Sequence, residues 1–388
     1  MPVMKKLLII IPSFSIGGTI VSLHSLLSLM DTSKYEIDVF ALSRSGEYLN
    51  RLPNCRVLPE NVWLSLRYFG RNPLKKFFVC LLRFFRVGLS KIGISIVPFL
   101  CKIGGRQLKT DLYDVVISYV ESINPIVCYY PARKRIAWIH CEYSRHLALA
   151  KKRSEENVYT RFEHIVCVSE FAKSVFCKFY PNLASRVHAI HNVINEENIR
   201  HQAQKMSDLD PLFKTDRFTL VSVGRLDPVK QFDKIPYMAA EIKRLTSKPF
   251  CWYIIGGGRG FQTMENQIRN DIINQEVSDN VVLLGEKSNV YPYMAKADLY
   301  VSTSLSESFP LVINEARTLG IPIVSNNFGS VSESIKDGVD GYIVPIESMA
   351  DVIVNLIETE SLLYGLRSQI KNKKYDNFFI IKQIESLL

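Results

Sequence analysis

The sequence predicts an α/β protein made of two Rossmann-like doubly wound domains that face a central cleft. A chain of 388 residues is too long for one hydrophobic core. Short β-rich runs alternate with helical stretches, which is typical of parallel sheets covered by helices. The alternation pauses at a polar stretch, residues 196–216, and then starts again. Because ligands bind beside the carboxyl ends of the strands in such sheets, we expect the functional residues in the loops that follow strands.

The first domain is predicted to span residues 1–195. It opens with an apolar strand at 7–11, a Gly17-Gly18-Thr19 loop and an apolar helix that runs to Met30. The opening apolar run ends at Pro12, so it indicates a buried strand rather than a signal peptide. Further β-rich runs lie at residues 35–42, 113–119, 135–140 and 164–169.

The second domain is predicted to span residues 217–365, after a linker at 196–216. Its β-rich runs lie at residues 217–224, 250–255, 281–284, 299–302, 322–325 and 341–344. Residues 366–388 are expected to form a helical tail that returns to the first domain. The two halves share an architecture but no close sequence repeat.

The positive charge of the chain is concentrated in one insert, residues 61–110. This insert has ten basic residues and no acidic residue, and the ten account for the whole net charge of +10. Its middle alternates basic and aromatic residues at helical spacing, which is typical of a helix that lies on an anionic membrane. The alternative is an ordinary domain helix whose phenylalanines pack in the core. A basic insert could also bind nucleic acid, but no other feature of the sequence favours that interpretation. The residues assigned to membrane or acceptor contact are Arg71, Lys75, Lys76, Phe77, Phe78, Arg83 and Arg86.

Several classes of protein are not favoured. No stretch reaches the roughly 18 uncharged apolar residues of a membrane span. The eight cysteines form no C-x-x-C pair, which argues against zinc or redox motifs and favours reduced thiols in the cytoplasm. The only D-x-D, Asp208 to Asp210, lies in the predicted linker, away from the motifs below, so we expect no metal site there. The glycine cluster at 256–260 is too weak a signal for a dinucleotide site.

Two carboxylates, Glu307 and Glu315, lie at the start of a predicted helix in the segment ESFPLVINE. A strand at 299–302 precedes them, and Pro310 is suited to the first helical position because its missing N–H costs nothing there. Helix starts bind anions through free N–H groups. The pattern fits a phosphate-bearing, polyhydroxylated ligand such as a nucleotide sugar, although solvated glutamates at a helix start are the simpler alternative.

A second segment, VGRLDPVK at 223–230, places two cations just after a strand. Arg225 offers a fork of donors to phosphate oxygens and Lys230 offers a point charge, so together they suit a diphosphate. A surface ion pair is the alternative explanation.

The two segments together resemble the motifs of the retaining nucleotide-sugar enzymes called glycosyl transferases group 1, which have the twin-Rossmann GT-B fold. The resemblance implies that Glu307 contacts hydroxyls of the donor sugar and that Glu315 binds the ribose. It also implies that Arg225 and Lys230 hold the diphosphate as it leaves. The family more often has glycine at Ser308 and Pro310, a departure that bears on the choice of sugar. A further departure is Gln231, where the family usually has glycine.

Weaker matches extend the resemblance to both halves. Gly17 and Gly18 resemble a glycine loop whose amides approach the donor, and His140 corresponds to a histidine near the reaction centre. The family often continues with aspartate, where this chain has Cys141. The loop at 285–287 matches one that clasps the nucleotide base. The donor-binding residues implied by the resemblance are Gly17, Gly18, Thr19, Gly224, Arg225, Lys230, Gly257, Gly285, Glu286, Lys287, Glu307, Ser308, Phe309, Pro310, Leu311 and Glu315, with Glu307, His140, Arg225 and Lys230 as the catalytic set.

The resemblance implies a retaining, metal-independent glycosyltransferase without a cofactor. Its donor would be a nucleotide diphosphate sugar, with UDP as the expected nucleotide, and its acceptor a lipid-linked or glycan hydroxyl at the inner face of the cell membrane. Two rival functions remain open: a non-catalytic partner of an active glycosyltransferase, and a soluble nucleotide-sugar epimerase of the same fold.

Overall fold

A computed structural model describes most of the chain. The described residues are 4–61, 73–74, 77–78, 80–82, 84, 96–109, 112–150, 154–257, 262–371 and 375–388. They form two compact units, the first made of residues 1–193 with 377–388 and the second of residues 194–376. Each unit has its own parallel sheet and its own hydrophobic core.

The described residues of the first unit form a sheet of seven strands. They are β1 (Lys5–Ser13), β2 (Tyr35–Ser43), β3 (Arg56–Val57), β4 (Val115–Ser118), β5 (Lys134–Ile139), β6 (His164–Cys167) and β7 (Val187–Ala189). All neighbours pair in parallel, in the order β3-β2-β1-β4-β5-β6-β7. The central strands are apolar on both faces, as buried parallel strands are. The sheet order reverses between β1 and β4, which is the point where α/β sheets of this kind commonly bind ligands.

Six helices with defined limits accompany this sheet. They are α1 (Gly18–Leu29), α2 (Val97–Gln107), α3 (Asn124–Val127), α4 (Tyr143–Ala150), α5 (Glu156–Tyr159) and α6 (Glu170–Phe179). A 3₁₀ turn, Glu121–Ile123, follows β4. Ser169 caps α6 by accepting a hydrogen bond of 3.0 Å from the amide of Ala172, which fixes where that helix begins.

The second unit is built on six strands. They are β8 (Phe218–Val223), β9 (Phe250–Ile255), β10 (Val281–Gly285), β11 (Leu299–Ser302), β12 (Ile323–Asn326) and β13 (Tyr342–Val344). They pair in parallel in the order β10-β9-β8-β11-β12-β13. Here the order reverses between β8 and β11, which places the loops after these two strands side by side.

The described residues of the second unit form seven helices. They are α7 (Glu196–Ala203), α8 (Ile235–Leu245), α9 (Gln262–Asn274), α10 (Tyr291–Ala295), α11 (Leu311–Thr318), α12 (Met349–Glu358) and α13 (Glu360–Lys371). Among them, α8 and α12 pack their apolar faces on the core that includes Trp252, whose side chain is fully buried. None of the helices in the described parts of the chain combines the length and the apolar character that a membrane span requires.

The boundaries of the two units differ from the predicted ones. The stretch predicted as a linker, 196–216, contains α7 and a 3₁₀ turn (Met206–Asp208), and it is part of the second unit. Asn195 caps α7 by accepting from the amide of Asn198 at 3.0 Å, so polar residues that suggested a linker in fact begin a helix. The last helix, α14 (Asn377–Leu387), is grouped with the first unit. There the ammonium of Lys134 donates to the carbonyl of Leu387 at 3.0 Å.

Candidate functional site

The strongest candidate site lies at the reversal point of the second sheet. Lys230 follows β8 and Glu307 follows β11, and their side chains form an ion pair through Nζ and Oε1. About a fifth of each side chain is exposed. The two residues are far apart in sequence, and they meet because β8 and β11 are neighbours in the sheet.

Lys230 is positioned by a short 3₁₀ turn (Pro228–Lys230) after β8. The Asp227 carboxylate caps this turn by accepting from the amide of Val229 at 3.0 Å. A Cβ atom on Gly224 would lie 3.3 Å from Cε of Lys230, so glycine leaves room for the lysine stem beside the strand end. The carbonyl of Lys230 accepts from Thr303 Oγ1 at 2.5 Å, which ties this turn to the loop that carries Glu307.

The loop that carries Glu307 is held from three sides. Ser304 Oγ donates to Glu307 Oε1 at 2.9 Å, and Ser330 Oγ donates to the backbone carbonyl of Glu307 at 2.7 Å. The amide of Leu305 donates to the carbonyl of Val229 at 2.8 Å. The carboxylate therefore has a fixed position and two donors before any ligand binds.

Glu315 lies on α11 and is almost completely buried, with 7% of its surface exposed. Tyr291 on α10 donates a hydrogen bond of 3.1 Å to its Oε1. Burial raises the pKa of Glu315 to about 7, and the tyrosine opposes this only in part. A carboxyl group with such a pKa is expected at a ligand site, since burial without a fixed countercharge destabilises the fold.

The residues between the two glutamates form the start of α11. The sequence predicted that Pro310 is the first helical residue, but the helix begins at Leu311 and Pro310 is its N-cap, with ψ of 88°. Ser308 and Phe309 are buried, and Ser308 Oγ has no hydrogen-bond partner among the described residues. The helix start predicted as an anion site is therefore present, displaced by one residue.

Arg225 differs from Lys230 in its environment. Its side chain is 68% exposed, and its guanidinium lies 3.8 Å from a carboxylate oxygen of Asp227. An exposed guanidinium with one distant partner can turn toward another anion at little cost.

The loops after β9 and β10 border the same strand ends. A Cβ atom on Gly256 would lie 1.7 Å from the carbonyl oxygen of Gly224, so only glycine allows the loops after β8 and β9 to approach so closely. Gly257 accepts from the amide of Leu226 at 3.1 Å. Gly285 has a φ of +73° with open space where a Cβ would be, and Glu286 after it is exposed.

Lys287, in the loop predicted to clasp the base, forms an ion pair of 2.6 Å with Asp210. Its hydrogen bond keeps the pKa of Asp210 below the ordinary value. Asp208 accepts from Asn289 Nδ2 at 2.8 Å. The prediction that this D-x-D segment is remote from the motifs was therefore wrong, because the fold brings it against the loop after β10.

In the first unit, the predicted glycine loop joins β1 to α1. Gly17 is the N-cap of α1 and Gly18 and Thr19 are its first two residues. His140 follows β5, and its amide donates to Glu121 Oε2 at 3.0 Å. Burial lowers the pKa of His140 to about 4, so the ring is neutral at physiological pH. Its Nε2 atom is buried and has no partner among the described residues.

The predicted membrane or acceptor residues are only partly described. Arg71, Lys75, Lys76, Arg83 and Arg86 lie outside the described residues. The backbone at Phe77 and Phe78 is helical, and these side chains are 70% and 46% exposed. Large apolar side chains nearby are also exposed, at Leu74, Leu81 and Phe84.

Sequence reasoning missed several residues that hold the site together. Ser304 lies three residues before Glu307, a spacing that favours a local side-chain contact, so a signal was present. Tyr291 and Ser330 gave no signal, because each reaches its partner through the order of strands and helices rather than through sequence spacing. Asp210 was noted as part of the D-x-D, but its pairing with Lys287 also depends on the fold.

Known proteins resemble both the sequence and the fold. The N-acetyl-alpha-D-glucosaminyl L-malate synthase of Bacillus anthracis is 26% identical over 174 residues, which are 43% of this chain and 44% of that enzyme. The UDP-Gal:alpha-D-GlcNAc-diphosphoundecaprenol alpha-1,3-galactosyltransferase of Escherichia coli is 21% identical over 299 residues, which are 73% of this chain and 76% of that enzyme. The chain thus spans less than half of the first relative and about three quarters of the second.

Solved structures confirm the fold class. Anabaena Alr3699/HepE, in complex with UDP and glucose, has a TM-score of 0.71 and 17% identity, with 98% of each chain covered. Staphylococcus aureus TarM, as a point mutant with UDP bound, has a TM-score of 0.70 and 15% identity, with 99% of each chain covered. Residues 185–376, which include the loops after β8 and β11, match the family described as Glycosyl transferases group 1. Over this segment, just under half of its length, the chain is similar to the glycosyl transferases group 1.

Proposed function

We propose that the protein is a retaining glycosyltransferase that moves a sugar from a UDP-linked donor to a hydroxyl of a lipid-linked or glycan acceptor. The observation that carries the proposal is the grouping of Lys230, Glu307 and Glu315 in the second unit. Lys230 and Glu307 pair at the strand ends, and Glu315 is buried on the helix that starts after Glu307. UDP in the similar Anabaena and Staphylococcus structures supports the choice of nucleotide.

The ion pair explains how the site recognises a nucleotide diphosphate sugar. A diphosphate offers Lys230 more negative charge than one carboxylate does, and exposed Arg225 adds a second cation. Once Lys230 turns to the diphosphate, Glu307 is left with Ser304 as a donor and can accept from the sugar hydroxyls. Glu315 accepts from the ribose hydroxyls, which add to the one side-chain donor, Tyr291, that the described residues give its buried carboxylate.

The chemical step follows from charges that are fixed in place. The acceptor oxygen forms a bond to the anomeric carbon on the face from which the diphosphate departs, and the bond from that carbon to the diphosphate oxygen breaks. The acceptor proton passes to a phosphate oxygen of the leaving group. Lys230 and Arg225 stabilise the charge that develops on the diphosphate, a contribution of about 2–4 kcal/mol for one well-placed donor. No cofactor or metal ion is required in this scheme.

The loops after β9 and β10 are proposed to bind the nucleotide. Gly257, Gly285 and Glu286 border the strand ends, and Lys287 is held by Asp210. Ser308, with a buried hydroxyl that lacks a partner among the described residues, is proposed to contact the donor at the start of α11. In the first unit, His140 and the loop at 17–19 are assigned to the reaction centre by resemblance.

The acceptor is proposed to be tethered to the inner face of the cell membrane, with the protein bound there from the cytoplasm as in surface polysaccharide synthesis. The name of the Escherichia coli relative includes a diphosphoundecaprenol-linked sugar. Leu74, Phe77, Leu81 and Phe84 follow helical spacing, and all are at least 45% exposed. With the basic residues between them in sequence, this stripe has the composition of an interfacial membrane helix.

Flotation with liposomes tests the membrane contact. The parent should float with anionic vesicles at low salt and be released in part at high salt, since each basic residue near the surface contributes about 1 kcal/mol. A variant with Lys75, Lys76, Arg83 and Arg86 changed to Gln should remain in solution. If it floats as well as the parent, the insert is not a membrane anchor.

A screen of nucleotide sugars for slow hydrolysis tests the activity and identifies the donor. The parent should release UDP from at least one UDP-sugar, and Lys230→Ala should lose about 10²–10³-fold of this rate. Lys234→Ala is the matched control, since Lys234 is an exposed lysine four residues later whose ammonium contacts only Asp233, at 3.8 Å, among the described residues.

The same screen separates the rival functions. A non-catalytic partner subunit would hydrolyse no nucleotide sugar, and an epimerase would convert one without needing an acceptor. The presence of Arg225, Lys230, Glu307 and Glu315 weighs against the first rival. The basic insert, which has no use in a soluble epimerase, weighs against the second.

A further inference from the structure

Three side chains with metal-binding atoms converge in the first unit. They are Glu121 in the 3₁₀ turn after β4, Cys141 after β5 and His146 on α4. One ligand atom from each lies within 4.8 Å of the others, and each residue is half-buried. Because β4 and β5 are neighbours in the parallel sheet, the loops after them bring these residues together at the edge where α/β proteins bind ligands.

The surrounding contacts hold two of these ligands in place. The amide of His140 donates to Glu121 Oε2 at 3.0 Å, and the Cys141 thiol is hydrogen-bonded to the same carboxylate. His146 Nε2 contacts Glu155 Oε2 at 3.0 Å. A carboxylate on one ring nitrogen of a histidine is the usual companion of a metal ion on the other, since it orients the ring and raises its basicity.

Glu155 is itself fixed, which makes it an effective support for His146. Only 4% of its surface is exposed. Tyr143 donates to its Oε2 at 2.8 Å, and its backbone amide donates to the hydroxyl of Tyr180 at 2.8 Å. The histidine is therefore backed by a rigid, hydrogen-bonded carboxylate rather than by solvent.

We propose that Glu121, Cys141 and His146 form a binding site for a zinc-type divalent cation. A thiolate, an imidazole and a carboxylate are all ligands of Zn²⁺, whereas Mg²⁺ and Ca²⁺ prefer oxygen ligands alone. Three protein ligands leave the fourth tetrahedral position for water. Binding replaces the hydrogen bond between the Cys141 thiol and Glu121, and the displaced thiol proton is released to solvent, one per ion bound.

This site is distinct from the donor chemistry of the second unit. None of its three side chains has a part in the proposed transfer reaction. The proposal of a cation site can therefore be tested independently of that function. The amide of His140 is bonded to Glu121, so a bound ion also constrains the backbone of the residue assigned to the reaction centre.

Cobalt substitution tests the proposal because Co²⁺ bound to a thiolate has a strong charge-transfer absorption. The purified chain, freed of metal, should bind one Co²⁺ with this absorption, and one equivalent of Zn²⁺ should abolish it. Cys141→Ser should remove the absorption and weaken Zn²⁺ binding by more than about 100-fold, more than the loss of an outer partner alone. Cys177→Ser, a half-buried cysteine on α6 outside the cluster, should behave as the parent.

A second variant keeps the test decisive if Cys141→Ser folds poorly. His146→Gln retains the thiol but removes the nitrogen ligand, so it should keep a thiolate band of altered shape and lose affinity for Zn²⁺. Circular dichroism reports whether each variant is folded. An absent charge-transfer band in the parent, or equal Zn²⁺ affinity in folded His146→Gln and the parent, would overturn the proposal.

Discussion

The buried carboxyl of Glu315 allows a quantitative prediction about stability. Glu315 is 7% exposed, and burial raises its pKa from the ordinary 4.5 to about 7. The substitution Glu315→Gln preserves the shape of the side chain and leaves an oxygen that can accept from Tyr291. It removes the negative charge that the buried position disfavours.

The sign and size of the effect follow from the two pKa values. Below the unfolded pKa, Glu315 is neutral in both states and the fold bears no cost. Between the two pKa values the native state holds a proton that the unfolded chain releases, so stability falls as pH rises, and above about pH 7 the cost is complete. At about 1.4 kcal/mol per pKa unit, the cost is about 1 kcal/mol near pH 5.5 and about 3 kcal/mol near pH 8.

Urea unfolding of both proteins without nucleotide measures this difference. The free energy of unfolding of Glu315→Gln minus that of the parent should be about 2 kcal/mol larger near pH 8 than near pH 5.5, because the variant is relieved of the cost of the buried charge. The comparison cancels the titration of all other groups. Glu347→Gln, at an exposed position of the same unit, should give a difference that does not change with pH. If the difference for Glu315→Gln is also the same at both pH values, the carboxyl is not destabilised by burial and the argument fails.

Three further predictions concern the donor site. Calorimetric titration with UDP should show weaker binding for Glu315→Ala but not for Glu307→Ala. Turnover should fall by about 10²–10³-fold in Glu307→Ala. Equal loss of UDP affinity in the two variants would refute the assignment of the two carboxylates. UDP affinity should rise with pH through about 7 in the parent, because the ionised carboxylate accepts both ribose hydroxyls, and Glu315→Gln should lack this component of the pH dependence. Transfer activity should survive excess EDTA. Arg225→Ala and Lys230→Ala should each lose about 2–4 kcal/mol of transition-state stabilisation, and added manganese should not restore it. If activity is lost in EDTA and recovers on addition of manganese, the side chains of Arg225 and Lys230 are not the stabilising charge.

The sequence predicted the parts of the fold that have strong local patterns. The long apolar strands and the alternation of strand and helix were sufficient for the fold class, and the spacing within 307–315 placed Glu315 on a helix. Two strands were missed, Arg56–Val57 and Val187–Ala189, because two or three residues carry no periodic signal. Helix α7 was missed for a different reason, since its polar surface resembles a linker.

The site was predictable only at the level of which residues take part. Strand-end positions predicted that Arg225, Lys230 and Glu307 serve one ligand, whereas the direct pairing of Lys230 with Glu307 depends on the adjacency of β8 and β11. No sequence spacing encodes strand order. The same limit applies to Asp210. Its polar surroundings in sequence suggested a linker, but the fold places it against Lys287.

Under the proposed function, a complete nucleotide-sugar donor satisfies the charges around Lys230 and Glu307 better than UDP does. Glu307 has Lys230 as its ionic partner in the free protein, and a diphosphate draws that lysine away. UDP alone takes the lysine and leaves Glu307 with Ser304 as its remaining side-chain donor, whereas a UDP-sugar takes the lysine and supplies hydroxyl donors in return. The ion pair thus weakens the binding of UDP more than it weakens the binding of the UDP-sugar. This difference favours release of UDP after transfer. A site with Lys230 but no Glu307 would hold UDP at least as tightly and would lose this discrimination, so the pair serves turnover rather than affinity.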